Sequence, residues 1–262
     1  ENLAAIITRL PRQSHEFSVH FDDLIKQREK KFSQKFLVVN NPLGAELCGS
    51  KQFLLNLRKW CPVLEQVSSK EEIKAFYEKH KQSGIVLKPL NSSGGKGIIK
   101  IDSNGKVWLG VQEPDFQSLE AFLNSDCPDL NPVAFIAMKY LKNVKEGDKR
   151  IIVIDGEIIG ASLRKPTGES WLCNASQGGT SHASFVSDFE KEMVKDVSKI
   201  VSEYGVLFIG LDTLVDDDGQ RILSEVNCVT IGGMNPLQSV SGKPILKMTA
   251  EALWHSITKR CL

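Results

Sequence analysis

Three residues whose side-chain oxygens could bind a metal flank a turn near the end of the chain. Asp212 precedes the Asp218-Gly219 pair, and Glu225 and Asn227 follow it. If Asp218-Gly219 is the two-residue loop of a β-hairpin, Asp212 lies directly opposite Glu225, and Asn227 shares their face. Two facing carboxylates repel each other unless a cation lies between them. Carboxylate and amide oxygens suit Mg²⁺ or Mn²⁺, so this pattern predicts a divalent metal site.

Two other interpretations of the same residues stay open. The carboxylates are equally compatible with a solvated hairpin face that binds nothing. An EF-hand loop is the other alternative, because Asp216, Asp218, Gly219 and Glu225 fall at its third, fifth, sixth and twelfth positions. Its first position would be Leu214 and its flanks would be strands, which disfavours calcium binding of this type.

A Gly- and Ser-rich segment is the second feature that could do chemistry. Residues 84–89 predict a strand with one lysine, Lys88, and residues 98–101 predict another strand. Between them lie Asn91, Ser92, Ser93, Gly94, Gly95, Lys96 and Gly97. Glycines let backbone amides close around an anion, and the hydroxyls and Lys96 add donors, so phosphate binding is indicated. The P-loop spacing and the Rossmann fingerprint are absent, and a plain Ser/Gly hairpin turn is the alternative.

The elements that position these residues follow from periodicity and turn signals. Apolar runs predict strands at 3–10, 36–39 and 63–67. Helical spacing predicts helices at 16–32, 51–60, 188–203 and 244–260, and a capping box at Ser68 and Glu71 starts another that runs to about residue 81. Type I′ hairpin turns are expected at Asn104-Gly105, Asp155-Gly156 and Asp218-Gly219. The fold class is therefore α+β with several antiparallel hairpins.

Composition excludes several classes of protein. The chain has 262 residues, 41% of them hydrophobic, with 33 Lys+Arg against 32 Asp+Glu, a net charge of +1. This is ordinary for a globular protein and argues against a disordered chain or a dedicated nucleic-acid binder. No apolar run is long enough for a membrane span, and no signal peptide is recognisable. The six cysteines lack metal-ligand spacing, which favours reduced thiols and a cytoplasmic protein with neither nucleic acid nor membrane as partner.

These motifs together resemble the ATP-grasp fold, and within it the bacterial glutathione synthetase family. The resemblance runs from about Ala4 to Arg260. It rests on V-V-N-N-P (38–42), I-V-L-K-P-L (85–90), S-G-G-K-G (93–97), G-D-K-R (147–150), V-I-D-G-E (153–157), G-L-D-T (210–213) and S-E-V-N (224–227). It implies two α+β subdomains, at 46–137 and 138–262, whose antiparallel sheets enclose ATP. Residues 1–45 would be the remnant of a pre-ATP-grasp α/β domain whose earlier elements are absent.

The resemblance also implies a role for each matching residue. ATP would be bound by Lys51, Lys88, Ser92, Ser93, Gly94, Gly95, Lys96, Gly97, Met138, Lys139, Tyr140, Leu141 and Asp148. Residues 138–141 would form the adenine-binding hinge through their backbone. Asp212, Glu225 and Asn227 would hold Mg²⁺ or Mn²⁺. Arg150 and Arg164 would be the catalytic cations, and Arg150, Asn174, Gly178 and Gly179 would contact the substrate.

The implied reaction is amide formation driven by ATP. A carboxylate attacks the γ-phosphorus to give an acyl phosphate, and an amine then displaces phosphate from the acyl carbon. γ-Glutamylcysteine and glycine are the nearest named substrates, and the resemblance also implies a homo-oligomer, which is common among family members. A ligase for a different acid or peptide, and a non-catalytic ATP-binding module such as the synapsins, are the alternatives.

Three points depart from the family pattern. Residues 171–174 lack the arginine expected before the substrate loop, and residues 230–233 replace a Ser-Pro turn. The third is a conflict of register: the R-x-P pattern selects Arg164, whereas counting from the Asp155-Gly156 turn places Lys165 on the face of Arg150. A β-bulge would reconcile the two. Arg150 itself could instead pair structurally with Asp148 or Glu157.

Overall fold

The N-terminal part is a parallel strand–helix–strand unit. The structure is a computed structural model, and it describes residues 5–8, 13–32, 36–90, 97–110, 113–165 and 180–261. Strands β1 (Ala5–Ile7) and β2 (Leu37–Val39) pair in parallel and are connected by helix α1 (His15–Phe32). Helix α2 (Pro42–Cys48) follows, with Asn41 as its N-cap, and then a 3-10 helix at Lys51–Trp60.

The first large sheet has five antiparallel strands in the order β3-β7-β4-β5-β6. Its strands are β3 (Leu64–Val67), β4 (Ile85–Pro89), β5 (Ile99–Ile101), β6 (Val107–Trp108) and β7 (Phe135–Lys139). Helices α3 (Lys70–His80) and α4 (Leu119–Leu123) and a 3-10 turn at Pro128–Leu130 accompany it. One face of the sheet is buried against the apolar sides of α3 and α4, which include Phe76 and Phe122. The opposite face, with Lys88, turns toward the second sheet.

The second large sheet is also antiparallel, with five strands in the order β10-β9-β8-β11-β12. Its strands are β8 (Asp148–Ile154), β9 (Glu157–Lys165), β10 (Thr180–Ser184), β11 (Phe208–Val215) and β12 (Arg221–Asn227). Three helices, α5 (Asp188–Ser202), α6 (Met234–Ser241) and α7 (Ile245–Cys261), complete this half, and a 3-10 helix at Lys142–Glu146 leads into it. The alternation of side chains along β8 divides its residues between two cores: Ile151 packs with α5, and Ile152 packs with α6 and α7.

The expected α+β class with antiparallel hairpins is confirmed, but two local predictions are wrong. Helix α3 is capped by Ser69, not by Ser68, because the Ser69 hydroxyl accepts from the Glu72 amide at 3.1 Å while the Ser68 amide donates to the Glu72 carboxylate. The helix therefore begins one residue later than predicted.

The turn types are the second correction. Asp155 and Gly156 both have positive φ, 48° and 84°, so the type I′ turn expected there is confirmed. At the other two turns only Gly105 and Gly219 have positive φ. Both loops are longer than two residues: the Asp102 amide donates to the Lys106 carbonyl, and the Asp216 amide donates to the Gln220 carbonyl. The carboxylate that opens each loop accepts from its amides and stabilises the wider turn.

Within the described part of the chain, no helix combines the length and the apolar character needed to cross a membrane.

Candidate active site

The pairing of β11 with β12 places Asp212 directly opposite Glu225. Their loop runs from Asp216 to Gln220, so Val215 pairs with Arg221 and the register near the turn differs by one from the register predicted for a two-residue loop. A β-bulge at Ser224 then inserts one extra residue and restores the predicted pairing. The Ser224 hydroxyl donates to the Asp212 carbonyl at 3.1 Å. The predicted juxtaposition is thus confirmed, although the loop length on which it was based is wrong.

Asp212 is the centre of a buried charge cluster. Arg150 donates to both of its oxygens, from Nε to Oδ1 at 2.7 Å and from Nη2 to Oδ2 at 2.6 Å. Arg164 lies 3.0 Å from Oδ1, and the Asn227 amide donates to Oδ2 at 3.1 Å. Arg150 therefore pairs with Asp212, rather than with Asp148 or Glu157, which were the alternatives from sequence.

A second β-bulge decides which side chain of β9 joins the cluster. Next to the Asp155-Gly156 turn, Ile154 pairs with Glu157, but the register shifts between Ile152 and Val153. Beyond the shift Arg150 lies opposite Ser162, and Asp148 lies opposite Arg164. Arg164 consequently shares the face of Arg150, as the R-x-P pattern indicated, and the bulge invoked to reconcile the register is confirmed.

Burial and neighbouring charges shift the pKa values of the two aspartates in opposite directions. Burial disfavours the ionised form of both. For Asp212, the Arg150 and Arg164 guanidiniums outweigh this penalty and hold its pKa below the ordinary range. For Asp148, burial together with the negative charge of Asp212 raises the pKa, in spite of its ion pair with Arg164. Asp148 Oδ1 and Arg164 Nε are buried and lack hydrogen-bond partners within the described residues, so this cluster keeps unused polar atoms.

The opposite side of the cleft supplies two lysines, of which Lys51 is buried and Lys88 is half-buried. Lys51, only 6% exposed, makes an ion pair with Glu225. Lys88 lies on the cleft face of β4 and donates to the Ser224 carbonyl at 3.0 Å. Desolvation of its ammonium group, with the Lys51 charge nearby, lowers the pKa of Lys88 to about 8. Both lysines therefore approach the strand that carries Glu225.

The predicted hinge connects the two large sheets. The Lys139 amide donates to the Val63 carbonyl at 2.9 Å, and the Tyr140 amide donates to the Gly84 carbonyl at 3.0 Å. Met138 is buried on the cleft side of β7, where it pairs with Val86. The last hinge residue, Leu141, has a buried side chain and precedes the 3-10 helix. Because two of the hinge amides are already bonded, recognition of a ligand by the backbone here would depend on Leu141 and on the carbonyl groups.

The β11–β12 turn fixes this connection. Lys139 Nζ lies 2.7 Å from the Asp217 carboxylate, and Asn143 Nδ2 donates to the Asp216 carbonyl at 2.6 Å. These contacts, which the sequence did not reveal, exclude the EF-hand alternative, because Asp216 and Asp217 are engaged with the loop itself and with Lys139. The only signal for them was the run of three aspartates at 216–218.

Several predicted residues lie outside the described part of the chain: Ser92, Ser93, Gly94, Gly95, Lys96, Asn174, Gly178 and Gly179. Gly97 is described and has a φ of +69°, which favours glycine at that position.

A second buried ion pair lies on the reverse face of the site. Lys149 Nζ is 2.8 Å from Glu190, which is 1% exposed and also accepts from the Thr213 hydroxyl at 3.3 Å. Lys149 pairs with Thr213 one ladder position away from the Arg150–Asp212 pair. Glu190 additionally forms a capping box with Ser187 at the start of α5. Sequence analysis missed this network; the capping box, Ser187-x-x-Glu190, was its one visible sign.

The site thus gathers four cations and three carboxylates on one cleft: Lys51, Lys88, Arg150 and Arg164 with Asp148, Asp212 and Glu225. Such a set suits an anionic ligand that brings its own cation, since the lysines and arginines can exchange carboxylate partners for phosphate oxygens. Among the described residues, no group of three or more His, Cys, Asp and Glu side chains is arranged to hold a metal by itself. The predicted metal set has two carboxylates and the Asn227 amide.

Comparison with known proteins adds an independent line of evidence. The family described as "Prokaryotic glutathione synthetase, ATP-grasp domain" matches residues 50–242. The glutathione synthetase of Synechococcus elongatus is 30% identical over 220 residues, which cover 84% of this chain and 62% of the relative. That of Rhodopseudomonas palustris is 30% identical over 225 residues, covering 84% and 63%. The chain therefore spans less than two thirds of the length of these relatives.

Solved structures show the same architecture. The ATP-grasp ligase PsnB in complex with a minimal precursor superposes with a TM-score of 0.65 at 17% identity, covering 97% of this chain and 78% of that one. The D-cycloserine synthetase DcsG superposes with a TM-score of 0.63 at 14% identity, covering 97% and 84%. At these identities the likeness speaks for the fold alone, and it confirms the expected ATP-grasp fold.

Proposed function

We propose, from the premise that the chain belongs to the prokaryotic glutathione synthetase ATP-grasp domain family, that it is an ATP- and Mg²⁺-dependent carboxylate–amine ligase. The observation that carries the proposal is the charge cluster shared by the two halves of the cleft. Lys51 and Lys88, from the part at 46–137, meet Glu225 and Ser224, from the part at 138–262. Polyphosphate bound between them would be held from both sides.

Two cations of the second sheet are suited to the transferring phosphoryl group. Arg150 and Arg164 lie side by side on one face, and Arg164 Nε has no hydrogen-bond partner among the described residues. A buried guanidinium with an unused donor can bind an oxygen of the γ-phosphate or of the substrate carboxylate without moving. Their role is to offset negative charge while the carboxylate oxygen bonds to phosphorus and ADP leaves.

The residues present fit Mg²⁺. Asp212 and Glu225 face each other across the ladder, and Asn227 donates through Nδ2, which leaves its Oδ1 for a cation. In this structure Arg150 and Lys51 balance the two carboxylates, so the charges that a metal would neutralise are already compensated. When bound with ATP, Mg²⁺ would supply charge neutralisation of the phosphates.

The hinge and the acid and amine substrates complete the proposal. Residues 138–141 would receive adenine through their backbone, and Asp148 would lie toward the ribose. For the substrates we propose γ-glutamylcysteine and glycine, the pair on which glutathione synthesis depends, with Asn174, Gly178 and Gly179 contributing to the substrate loop. In the second half-reaction the amine nitrogen attacks the acyl carbon, loses a proton and displaces phosphate.

The deciding experiment measures phosphate release. The protein is incubated with ATP, Mg²⁺, γ-glutamylcysteine and glycine, then with other acid and amine pairs, and each amide product is identified by mass spectrometry. Release that requires both substrates supports the proposal, and release with a different pair identifies another ligase. A non-catalytic module, to which the absence of an arginine at 171–174 points, would bind ATP without releasing phosphate with any pair.

Thermal denaturation tests ATP binding separately. A ligand at 100 times its Kd stabilises the folded state by about 2.7 kcal/mol. No shift in Tm with ATP and Mg²⁺ would contradict both the ligase and the binding module.

A further inference from the structure

Asn40, at the end of β2, is buried at the point where β11 and β12 separate. Its side chain is 3% exposed, and its backbone has a φ of 59°, in the left-handed region that asparagine tolerates. It opens the Asn40-Asn41-Pro42 turn, and the proposed reaction assigns it no role. Its position between the first strand pair and the second sheet raises the question of what it holds.

All four hydrogen-bonding positions of the Asn40 amide are used. Oδ1 accepts from the Leu207 amide at 3.0 Å and from the Phe208 amide at 2.8 Å. Nδ2 donates to the Phe208 carbonyl at 2.5 Å and to the Cys228 carbonyl at 2.9 Å. A buried amide with every donor and acceptor paired holds its partners in one geometry.

These partners belong to the two strands that carry the proposed metal ligands. Pairing of β11 with β12 ends at Gly210 and Asn227, so Phe208 and Cys228 lie beyond the last rung of the ladder. The Asn40 side chain forms hydrogen bonds to both residues and so connects the two strands where their own backbone pairing has ended. Cys228 directly follows Asn227, so fixing its carbonyl restricts the backbone on which the Asn227 side chain is mounted.

We infer that Asn40 is a positioning residue for the metal site, acting on Asn227 through the Cys228 carbonyl. The inference rests on the proposed function, because it takes Asn227 as a ligand of the divalent cation. Partners that orient metal ligands typically change metal affinity when they are removed, without touching the metal themselves. Asn40 would therefore couple the N-terminal strand pair to the affinity of the site for its cation.

The test is a direct measurement of Mn²⁺ binding in the presence of ADP, with free Mn²⁺ followed by electron paramagnetic resonance. Asn40→Gly removes the side chain and suits the positive φ, so the backbone is not strained. We expect it to raise the Kd for Mn²⁺ about tenfold. An unchanged Kd for Asn40→Gly would overturn the inference.

Asn41→Ala is the matched control. Asn41 caps α2 by accepting from the Leu43 amide at 2.9 Å, and its side-chain amide donates to Asp22 of α1 at 3.0 Å. This variant should lose stability in urea denaturation, because removing an N-cap residue destabilises the helix that it caps. Its Kd for Mn²⁺ should stay within about twofold of the wild-type value. An equal loss of Mn²⁺ affinity in Asn41→Ala would show that general destabilisation is the cause, and would overturn the inference.

Two further variants separate the hydrogen bonds that Asn40 accepts through Oδ1 from those that it donates through Nδ2. Asn40→Asp keeps the acceptors for the Leu207 and Phe208 amides but sets a carboxylate against the two carbonyls, so it should weaken Mn²⁺ binding at least as much as Asn40→Gly. In an Asn227→Ala background, Asn40→Gly should have no additional effect, because a residue that acts through another is not additive with it. An additive effect would contradict the assigned route.

The wild-type titration distinguishes this inference from the proposed function. If wild-type protein with ADP does not bind Mn²⁺, the proposed metal site fails. If the wild type binds and Asn40→Gly binds equally well, only the role of Asn40 fails. If Asn40→Gly does not fold, Asn40→Asp decides; failure of both to fold would make Asn40 a folding residue and overturn the inference.

Discussion

Glu225 lies directly opposite Asp212 because a five-residue loop and a one-residue bulge at Ser224 compensate each other. The bulge also brings the Ser224 carbonyl within 3.0 Å of Lys88 Nζ. One irregularity in the strand therefore both sets the two carboxylates face to face and binds the lysine of the opposite sheet. β-Bulges often occur beside active sites for this reason, since they redirect a side chain without breaking the sheet.

Removing either facing carboxylate should nearly abolish turnover. Glu225→Gln and Asp212→Asn each delete one charged metal ligand, and we expect kcat to fall by about 100-fold or more. Glu225→Gln is the cleaner variant, because Asp212 also balances Arg150 and Arg164. Mg²⁺-dependent phosphate release is the measurement. Asp218→Asn, an exposed carboxylate on the same hairpin, is the control and should behave as wild type.

The β-bulge at Ile159 of β9 predicts a difference between two adjacent cations. Arg164→Ala removes a guanidinium that contacts Asp148 and Asp212, so kcat should decrease about 10²- to 10³-fold, the range typical of one lost charge-stabilising donor. Lys165 is exposed, and Lys165→Ala should stay near the wild-type rate. Steady-state kinetics with saturating ATP compares the two. Equal losses, or a larger loss in Lys165→Ala, would show that the assigned register does not govern catalysis.

Lys88 predicts a pH dependence of ATP use. Burial lowers its pKa to about 8, so the free enzyme loses this positive charge as the pH rises through that value. The kcat/KM for ATP should therefore fall on the alkaline side with an apparent pKa near 8. Lys88→Arg stays protonated, and its profile should lack this limb. A wild-type profile that is flat to pH 9.5, about 1.5 units higher, would contradict the assignment.

The lowered pKa of Lys88 also affects stability: the free energy of unfolding should rise with pH, whereas kcat/KM for ATP should fall. The pKa of Lys88 is about 8 in the folded chain and 10.5 ordinarily, so between these values the unfolded chain binds more protons. The contribution of Lys88 to the free energy of unfolding therefore rises with pH in that window. Urea denaturation at pH 7.5 and 10, about 0.5 units below and about 2 units above the folded pKa, should show a smaller rise for Lys88→Arg than for wild type.

The buried pair on the reverse face predicts a large effect on stability. Glu190→Ala leaves Lys149 charged and buried without its carboxylate, which typically costs about 3–5 kcal/mol. It also removes the capping box of α5. Glu192→Ala, on the exposed side of the same helix, should change the free energy of unfolding by less than about 0.5 kcal/mol. The urea midpoints of the two variants test this, and similar midpoints would refute the importance of the pair.

Local sequence determined most of the elements and the chemistry they carry. The spacing of apolar residues and the capping and turn signals predicted the α+β class, and the type I′ turn at Asp155-Gly156 forms as expected. The sequence also predicted that Lys88 lies in a strand and that Asp212 and Glu225 lie on facing strands. These placements follow from the alternation of residue types along a strand. These features depend on neighbours within a few residues.

Tertiary structure decided what depends on the sum of distant contacts. The bulges at Ser224 of β12 and at Ile159 of β9 cannot be predicted from their own residues, since each is stabilised by what lies across the sheet. The partner of Arg150 was settled in the same way: β11 brings Asp212 beside it, 62 residues away in sequence, whereas the candidates from sequence were its near neighbours. The hydrogen bond from the Asn40 side chain to the Cys228 carbonyl joins residues 188 positions apart in sequence. It has no local signal in the sequence, because it exists only once both strands are in place.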